Sequence, residues 1–345
     1  MMEAKGYAAF DNKKPLAPFA VPRREPGERD VVIDVLFCGV CHSDLHQVRN
    51  EWTGSRYPMV PGHEIVGKVE RVGSKVTRFR VGEHVGVGCF VNSCGHCDAC
   101  KRGLEQYCDK SVGTYNSVEA DGKTPTYGGY STRIVVTEAF VVRVAAKERL
   151  DAVAPLLCAG ITTWSPLRHW KIGKGHRVAV LGLGGLGHMA VKLASAFGAE
   201  VTMLSSSPGK KADAQRLGAI DFLLGKDQAS ARGRFDFIID TVSAVHDLAA
   251  LTGLLKLDGT LVLLGAPPEP LPLPAFALIP RRRSIAGSLV GGIAETQEML
   301  DFCAAHNITA DVETIPMQQI DQAYDRLLKG DVKYRFSIDL ASLKG

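Results

Sequence analysis

The run RVAVLGLGGLG at 177–187 decides the fold. Its first five residues form an apolar β-type run, and Gly182-Leu183-Gly184-Gly185-Leu186-Gly187 fits G-x-G-x-x-G. Beyond it, Ala190, Leu193, Ala194 and Phe197 recur at helical spacing. The glycine pattern alone is weak; a strand before it and a helix after it give it meaning. In that context Gly182 permits a tight turn, Gly184 lets backbone approach a pyrophosphate, and Gly187 lets helix and strand pack closely. The helix N-terminus then offers free N–H groups to the phosphates. A glycine-rich turn of an ordinary α/β domain would explain the glycines, but not the alternation that follows.

C-terminal to this loop, short apolar runs alternate with helical segments. The runs are VTML (201–204), DFII (236–239), TLVLL (260–264) and SIAGSLVG (284–291). Strand–helix alternation with nearly continuous apolar strands implies a parallel sheet covered on both faces. ETQEMLDFCAAH (295–306) reads as a helix, and IDQAYDRLLKG (320–330) with YRFSIDL (334–340) as a return to the first domain. APPEPLPLP (266–274) reads as a local loop. Arg281-Arg282-Arg283 lacks any aromatic platform and reads as a solvated loop, not a nucleic-acid site.

The end of the second strand addresses the cofactor. A carboxylate about 20 residues past the glycines would bind the ribose hydroxyls of NAD. Here stand Ser205-Ser206-Ser207-Pro208-Gly209-Lys210-Lys211, with no acid. Hydroxyls and lysines suit a 2′-phosphate, so the loop favours NADP. A polar turn capping a helix and a solvated lysine face are the plainer readings. Of the two lysines, Lys210 is favoured as the phosphate contact.

N-terminal to the glycine loop the rhythm differs. VVIDVLF (31–37), EIVGKVERV (64–72), HVGVG (84–88) and TRIVVT (132–137) are short β-type runs broken by glycine and proline. They suggest a mostly β, barrel-like unit. Residues 111–130 read as a long loop of the kind that is usually functional. The expected division is a catalytic domain of 1–155 with 292–345 and a dinucleotide-binding domain of 156–291.

The chain has 345 residues, 46% hydrophobic and 23% charged, with a formal net charge of +4. That balance gives material for two cores, and the charge is too small for the chain's size to imply a polyanionic partner. No apolar run reaches membrane-spanning length. The N-terminal stretch lacks a secretory layout, so a cytoplasmic location is expected.

Nine cysteines are present. Cys94, Cys97, Cys100 and Cys108 crowd into fifteen residues. Four soft ligands without histidine suit a closed, structural zinc site, although an iron–sulfur cluster also accepts four thiolates. A second set is Cys41, His63 and the remote Cys158, with Glu64 beside His63. Two thiolates and an imidazole, with a fourth position open, are the ligands of a catalytic zinc. Buried cysteines usually act as small hydrophobes, which is the plainer reading.

These stretches together resemble the zinc-dependent medium-chain dehydrogenase/reductase family, in its cinnamyl-alcohol-dehydrogenase-like branch. The carrying residues are CGVCHSDLHQ (38–47), YPMVPGHEIVG (57–67), CGHCDAC with Cys108, CAGITTWSPL (158–167), LGLGGLGHMAVKLA (181–194) and GSLVGGIAETQEMLDFC (287–303). The resemblance implies a GroES-like catalytic domain, a Rossmann domain, two zinc ions per chain and a homodimer. It implies cofactor contacts from Thr162, the 182–187 loop, Ser205, Ser206 and Lys210. It implies that Ser43, which stands where the branch usually has threonine, relays a proton through the cofactor ribose from His46. Asp44 would orient His63, and Glu64 could transiently replace zinc-bound water. Trp52 would wall the substrate pocket, or equally pack in the core. Leu289 and Val290, read as strand residues, would line the pocket or the dimer edge. Tyr57 reads equally as core. The activity implied is an NADP-dependent alcohol dehydrogenase acting mainly as an aldehyde reductase. An NAD-dependent polyol or amino-alcohol dehydrogenase and a non-catalytic zinc interaction module are the competing readings.

Overall fold

The computed structural model describes residues 2–146, 148–267 and 269–344. Pro268 of the proline-rich loop lies outside them. The chain forms two compact units, 1–161 with 291–345, and 162–290.

The first unit begins with a hairpin of β1 (Met2–Ala8) and β2 (Ala17–Arg23). It continues with β3 (Asp30–Val40), β4 (Ile65–Val72), β5 (His84–Val87), β6 (Phe90–Asn92), β7 (Val112–Gly113), β8 (Arg133–Thr137) and β9 (Val142–Arg143). β3 organises this unit. Most of its eleven residues are buried, as its near-continuous apolar sequence requires. It pairs antiparallel with β4 along one edge and with β8 along the other. β6 and β7 form a separate ribbon.

The second unit carries β10 (Arg177–Leu181), β11 (Glu200–Ser205), β12 (Asp221–Leu224), β13 (Phe235–Asp240), β14 (Leu255–Leu263) and β15 (Ser284–Gly287). All its ladders are parallel, in the order β12-β11-β10-β13-β14-β15. This is a doubly wound sheet whose strand order reverses between β10 and β13, beside the glycine loop. Phe235, Ile238, Leu251, Leu255 and Leu261 pack in its core. Truncating a buried phenylalanine such as Phe235 to alanine costs about 3–5 kcal/mol.

The chain then returns to the first unit. β16 (Val312–Pro316) pairs with β17 (Arg335–Asp339), and β17 pairs antiparallel with the C-terminal end of β3.

Four expectations are corrected here. The units divide at 161/162 and 290/291, so residues 156–161 belong with the catalytic unit; Leu157, for example, packs close to Gly86. The strand expected to reach residue 291 stops at Gly287. Leu289 is 55% exposed and Val290 has φ +34°, a backbone conformation that β-branched residues avoid. The 111–130 segment is not structureless: it contains β7 and a small ribbon joined at Val118 and Pro125, and it ends on the buried Tyr127 and Tyr130. Finally, the arginine run is not simply solvated. Arg282 pairs with Asp258, while Arg283 donates to the carbonyls of Gly253, Leu255 and Ala277.

Candidate active site

Cys41 follows the last residue of β3, and His63-Glu64 precede the first residue of β4. Because those strands are paired, with Gly39 N–H donating to the Glu64 carbonyl at 2.9 Å, the ladder brings both segments together. Cys158 arrives between the turn Ala154–Leu157 and the helix Ala159–His169. The result is a buried cluster of Cys41, His63, Glu64 and Cys158 whose candidate ligand atoms all lie within 4.8 Å of one another. Ligand atoms on a tetrahedral zinc stand roughly 3.5 Å apart, so the donor set fits such an ion.

Asp44 holds this cluster from behind. It occupies the first turn of the helix His42–Val48, and its Oδ2 accepts the N–H of the capping Cys41 at 3.0 Å. This is the carboxylate half of a capping box. Its Oδ1 accepts from Gly62 N–H and His63 Nδ1, both at 3.1 Å. With Nδ1 so engaged, His63 has Nε2 left for a metal, the arrangement that fixes the tautomer of ligating histidines. Tyr130 donates to Oδ2 at 3.2 Å and its oxygen accepts from Tyr324 at 3.4 Å. Burial pushes the pKa of both phenols well up, so both stay protonated. Gly62 has φ +101°, and a Cβ there would lie 2.6 Å from the Tyr130 ring, so glycine is required.

Electrostatics favour thiolate at Cys41. A hydrogen bond from Cys158 outweighs burial, and Arg335 and His63 pull further the same way, so its pKa falls well below the usual thiol range. Cys158, the donor, is pushed up. Burial alone would lower the His63 pKa, but Asp44 and nearby thiols outweigh it and the net direction is well up. Burial lifts Glu64 to about 7 against the pull of Arg335.

Other expected residues fall as follows. Ser43 places its hydroxyl 3.6 Å from the Cys41 sulfur. His46 lies nearer solvent, its Nδ1 hydrogen-bonded to Glu51. Trp52 packs on the His46 ring, with centroids 4.9 Å apart, and is 39% exposed. Tyr57 donates to the Val48 carbonyl at 2.7 Å.

Sequence reading missed five neighbours. Arg335 on β17 pairs with Glu64 and approaches the Cys41 sulfur at 3.9 Å. Glu51 holds His46. Tyr130 holds Asp44. Tyr115 stacks on His63 with centroids 5.8 Å apart. Cys89 has its pKa lowered by a hydrogen bond from Cys158. Only Glu51 had a local signal, an acid five residues past a histidine.

The four sulfurs of Cys94, Cys97, Cys100 and Cys108 also lie within 4.8 Å of one another. Backbone N–H groups of His96 and Cys97 point at the Cys94 sulfur and lower its pKa to about 6. Gly95 and Gly103, at φ +73° and +69°, make the turns of this lobe. Four thiols with no other ligand among the described residues suit a closed metal site.

In the second unit the glycines divide their work as the motif requires. Gly182 has φ +87°, and a Cβ on Gly187 would run into the Gly182 carbonyl. A Cβ on Gly184 would meet nothing within 4 Å, so that side is open to a ligand. Leu183 is buried, and its carbonyl accepts from Lys210 Nζ at 2.8 Å. Gly185 and Leu186 complete the turn into the helix Gly187–Ala196. Thr241 braces the loop through the carbonyls of Leu181 and Gly182, a role the sequence did not suggest. At the end of β11 the Ser205 hydroxyl accepts from Ser207 N–H at 3.1 Å. Ser206 and Lys211 are exposed, Lys210 half-buried. Thr162 is buried in the helix Ala159–His169.

Residues 27–146 match the alcohol dehydrogenase GroES-like domain, and residues 185–305 match the domain described as zinc-binding dehydrogenase. The NADP-dependent alcohol dehydrogenase C 1 of Mycolicibacterium smegmatis is 55% identical over 349 residues, covering 100% of both chains. The chain belongs to the zinc-binding alcohol dehydrogenase family. Aldehyde reductase YahK of Escherichia coli is another relative of this dehydrogenase, 55% identical over 347 residues and 99% of each chain. CAD from Helicobacter pylori, solved with NADP(H), superposes on it with a TM-score of 0.94 at 45% identity, over 99% of each chain. Among the described residues of the dehydrogenase, no single helix is long and apolar enough to cross a membrane.

Proposed function

We infer that this dehydrogenase is an NADP(H)-dependent zinc enzyme that interconverts aldehydes and primary alcohols, working mainly as an aldehyde reductase. The buried cluster of Cys41, His63, Cys158 and Glu64, backed by Asp44, carries this reading. The NADP-dependent M. smegmatis relative supports the cofactor. A polyol or amino-alcohol enzyme using NAD is disfavoured by the missing acid after β11, and a non-catalytic module leaves the cluster without a purpose.

Cys41, His63 and Cys158 would hold the catalytic zinc, and the four-cysteine lobe a structural one. Bound there, the catalytic ion supplies Lewis acidity to a carbonyl oxygen. The nicotinamide supplies the hydride. The chain's own residues do the rest. Asp44 fixes the His63 ring. Ser43 delivers the proton that the product oxygen needs. His46, held by Glu51 through Nδ1, keeps Nε2 free to replenish that proton from solvent. Arg335 neutralises Glu64, which would otherwise bring a further negative group into the pocket. Gly182, Gly184 and Gly187 shape the pyrophosphate turn, with Leu183, Gly185, Leu186 and Thr162 lining it. Ser206 and Lys210 would meet the 2′-phosphate, with Ser205 holding their turn. Trp52 would border the substrate entrance beside His46. A homodimer in the cytoplasm is the expected setting, and nine free cysteines suit a reducing compartment.

The test is a panel of aromatic, allylic and aliphatic aldehydes assayed with NADPH and NADH, alongside zinc analysis. NADPH-dependent reduction with two zinc ions per chain is expected. Turnover that survives complete zinc removal, or a preference for NADH, would overturn the reading.

A further inference from the structure

The Asp44 carboxylate accepts four hydrogen bonds, two on each oxygen, which saturates its acceptor sites. Three of the donors belong to the metal-binding segments themselves. The fourth, Tyr130, comes from a strap at 127–131 that has no ligand of its own. The strap is firmly held: the buried Arg23 guanidinium donates to the carbonyls of Tyr127 and Gly128 and to the Ser131 hydroxyl. Tyr324, from the helix Ile320–Leu328, donates to the Tyr130 oxygen, so the chain of donors runs in one direction toward Asp44. Tyr130 is fully buried and Tyr324 is 3% exposed, so water cannot stand in for either hydroxyl without rearrangement.

We propose that Tyr130, backed by Tyr324, is a positioning residue that keeps Asp44 aimed at His63 and thereby sets how tightly the catalytic site retains its metal. This rests on reading Cys41, His63 and Cys158 as a zinc site. Without the Tyr130 hydroxyl, Oδ2 retains the Cys41 N–H, with the Tyr115 phenol also near the carboxylate, and the carboxylate can rotate away from the His63 ring. Residues that orient a metal's ligands typically contribute 10- to 100-fold to metal affinity or activity.

The experiment is zinc release from the intact protein to a chromogenic chelator, for wild type, Tyr130→Phe and Tyr324→Phe. The four-cysteine lobe is the internal control. In Tyr130→Phe the catalytic-site phase should be about tenfold faster. In Tyr324→Phe it should accelerate less, and the four-cysteine phase should not change in either variant. An unchanged catalytic-site phase in both variants overturns the proposal. So does equal acceleration of both phases, which would mark general loosening. A wild type that takes up only one zinc ion overturns the active-site reading itself, and the proposal with it.

Discussion

Arg335 and Glu64 form an ion pair in which the two side chains are 3% and 0% exposed. They come from positions 271 residues apart and meet beside the Cys41 sulfur. Among the described residues, Glu64 Oε2 has no hydrogen-bond partner. The pair therefore balances charge in a pocket that also holds two thiols and an imidazole.

Breaking a buried pair from one side leaves an uncompensated charge and costs about 3–5 kcal/mol. Arg335→Met should lower the urea midpoint accordingly. Arg335→Met combined with Glu64→Gln should recover most of the loss, because neither charge is then stranded. A double variant as unstable as the single one would mean that Arg335 acts by packing.

Asp44→Asn retains the size of the side chain but removes the charge facing His63. A drop of about 10- to 100-fold in zinc affinity or turnover is expected. Zinc content after dialysis, read with kcat, separates lost metal from slowed chemistry.

Lys210 and Lys211 are adjacent in sequence but differ in placement, since only Lys210 reaches the glycine loop. A charged hydrogen bond is worth about 1.5–3 kcal/mol. Lys210→Ala should therefore raise KM for NADPH roughly tenfold or more and leave KM for NADH nearly unchanged. Lys211→Ala should do little to either. Equal effects of both variants would mean a shared field, and a larger effect of Lys211→Ala would assign the phosphate to the other lysine.

Acid stability should show the Arg24–Asp30 pair. Burial would raise the Asp30 pKa, but hydrogen bonds from Arg24 and the Gly27 N–H outweigh it and hold the carboxyl below its usual value. A depressed carboxylate stabilises the fold above its unfolded pKa of about 3.9, and that contribution fades as pH falls through the folded value. Arg24→Ala should flatten the loss of stability below about pH 4. Denaturant midpoints at a series of acidic pH values check this.

Much of the fold could be read directly from the chain. β10 and the glycine loop are contiguous, so strand, turn and helix sit in one run of residues. Cysteine spacing likewise exposes the four-sulfur lobe. The hidden features depend on partners remote in sequence. Arg335 looks like one polar residue in a short strand, and nothing nearby says that Glu64 awaits it. Tyr130 looks like a loop aromatic until Asp44 is placed beside it. Ser205, an expected cofactor contact, has its hydroxyl accepting a hydrogen bond in the turn that follows β11, a local engagement the sequence does not announce. Leu289 and Val290 are apolar, and Val290 is β-branched, as strand residues often are, but the ladder ends before them, at Gly287.

The order of synthesis gives the split of the first unit a consequence. Residues 162–290 emerge as one unbroken run, and every strand of the parallel sheet is then present. The barrel-side lobe cannot be finished until β17 leaves the ribosome and closes onto β3. Until then Glu64 and Cys41 lack the guanidinium of Arg335, and Tyr130 lacks Tyr324. Between the emergence of residue 290 and that of β17, a nascent chain holds every strand of the nucleotide lobe while its thiol pocket is still open, the interval in which oxidants or the wrong metal have easiest entry.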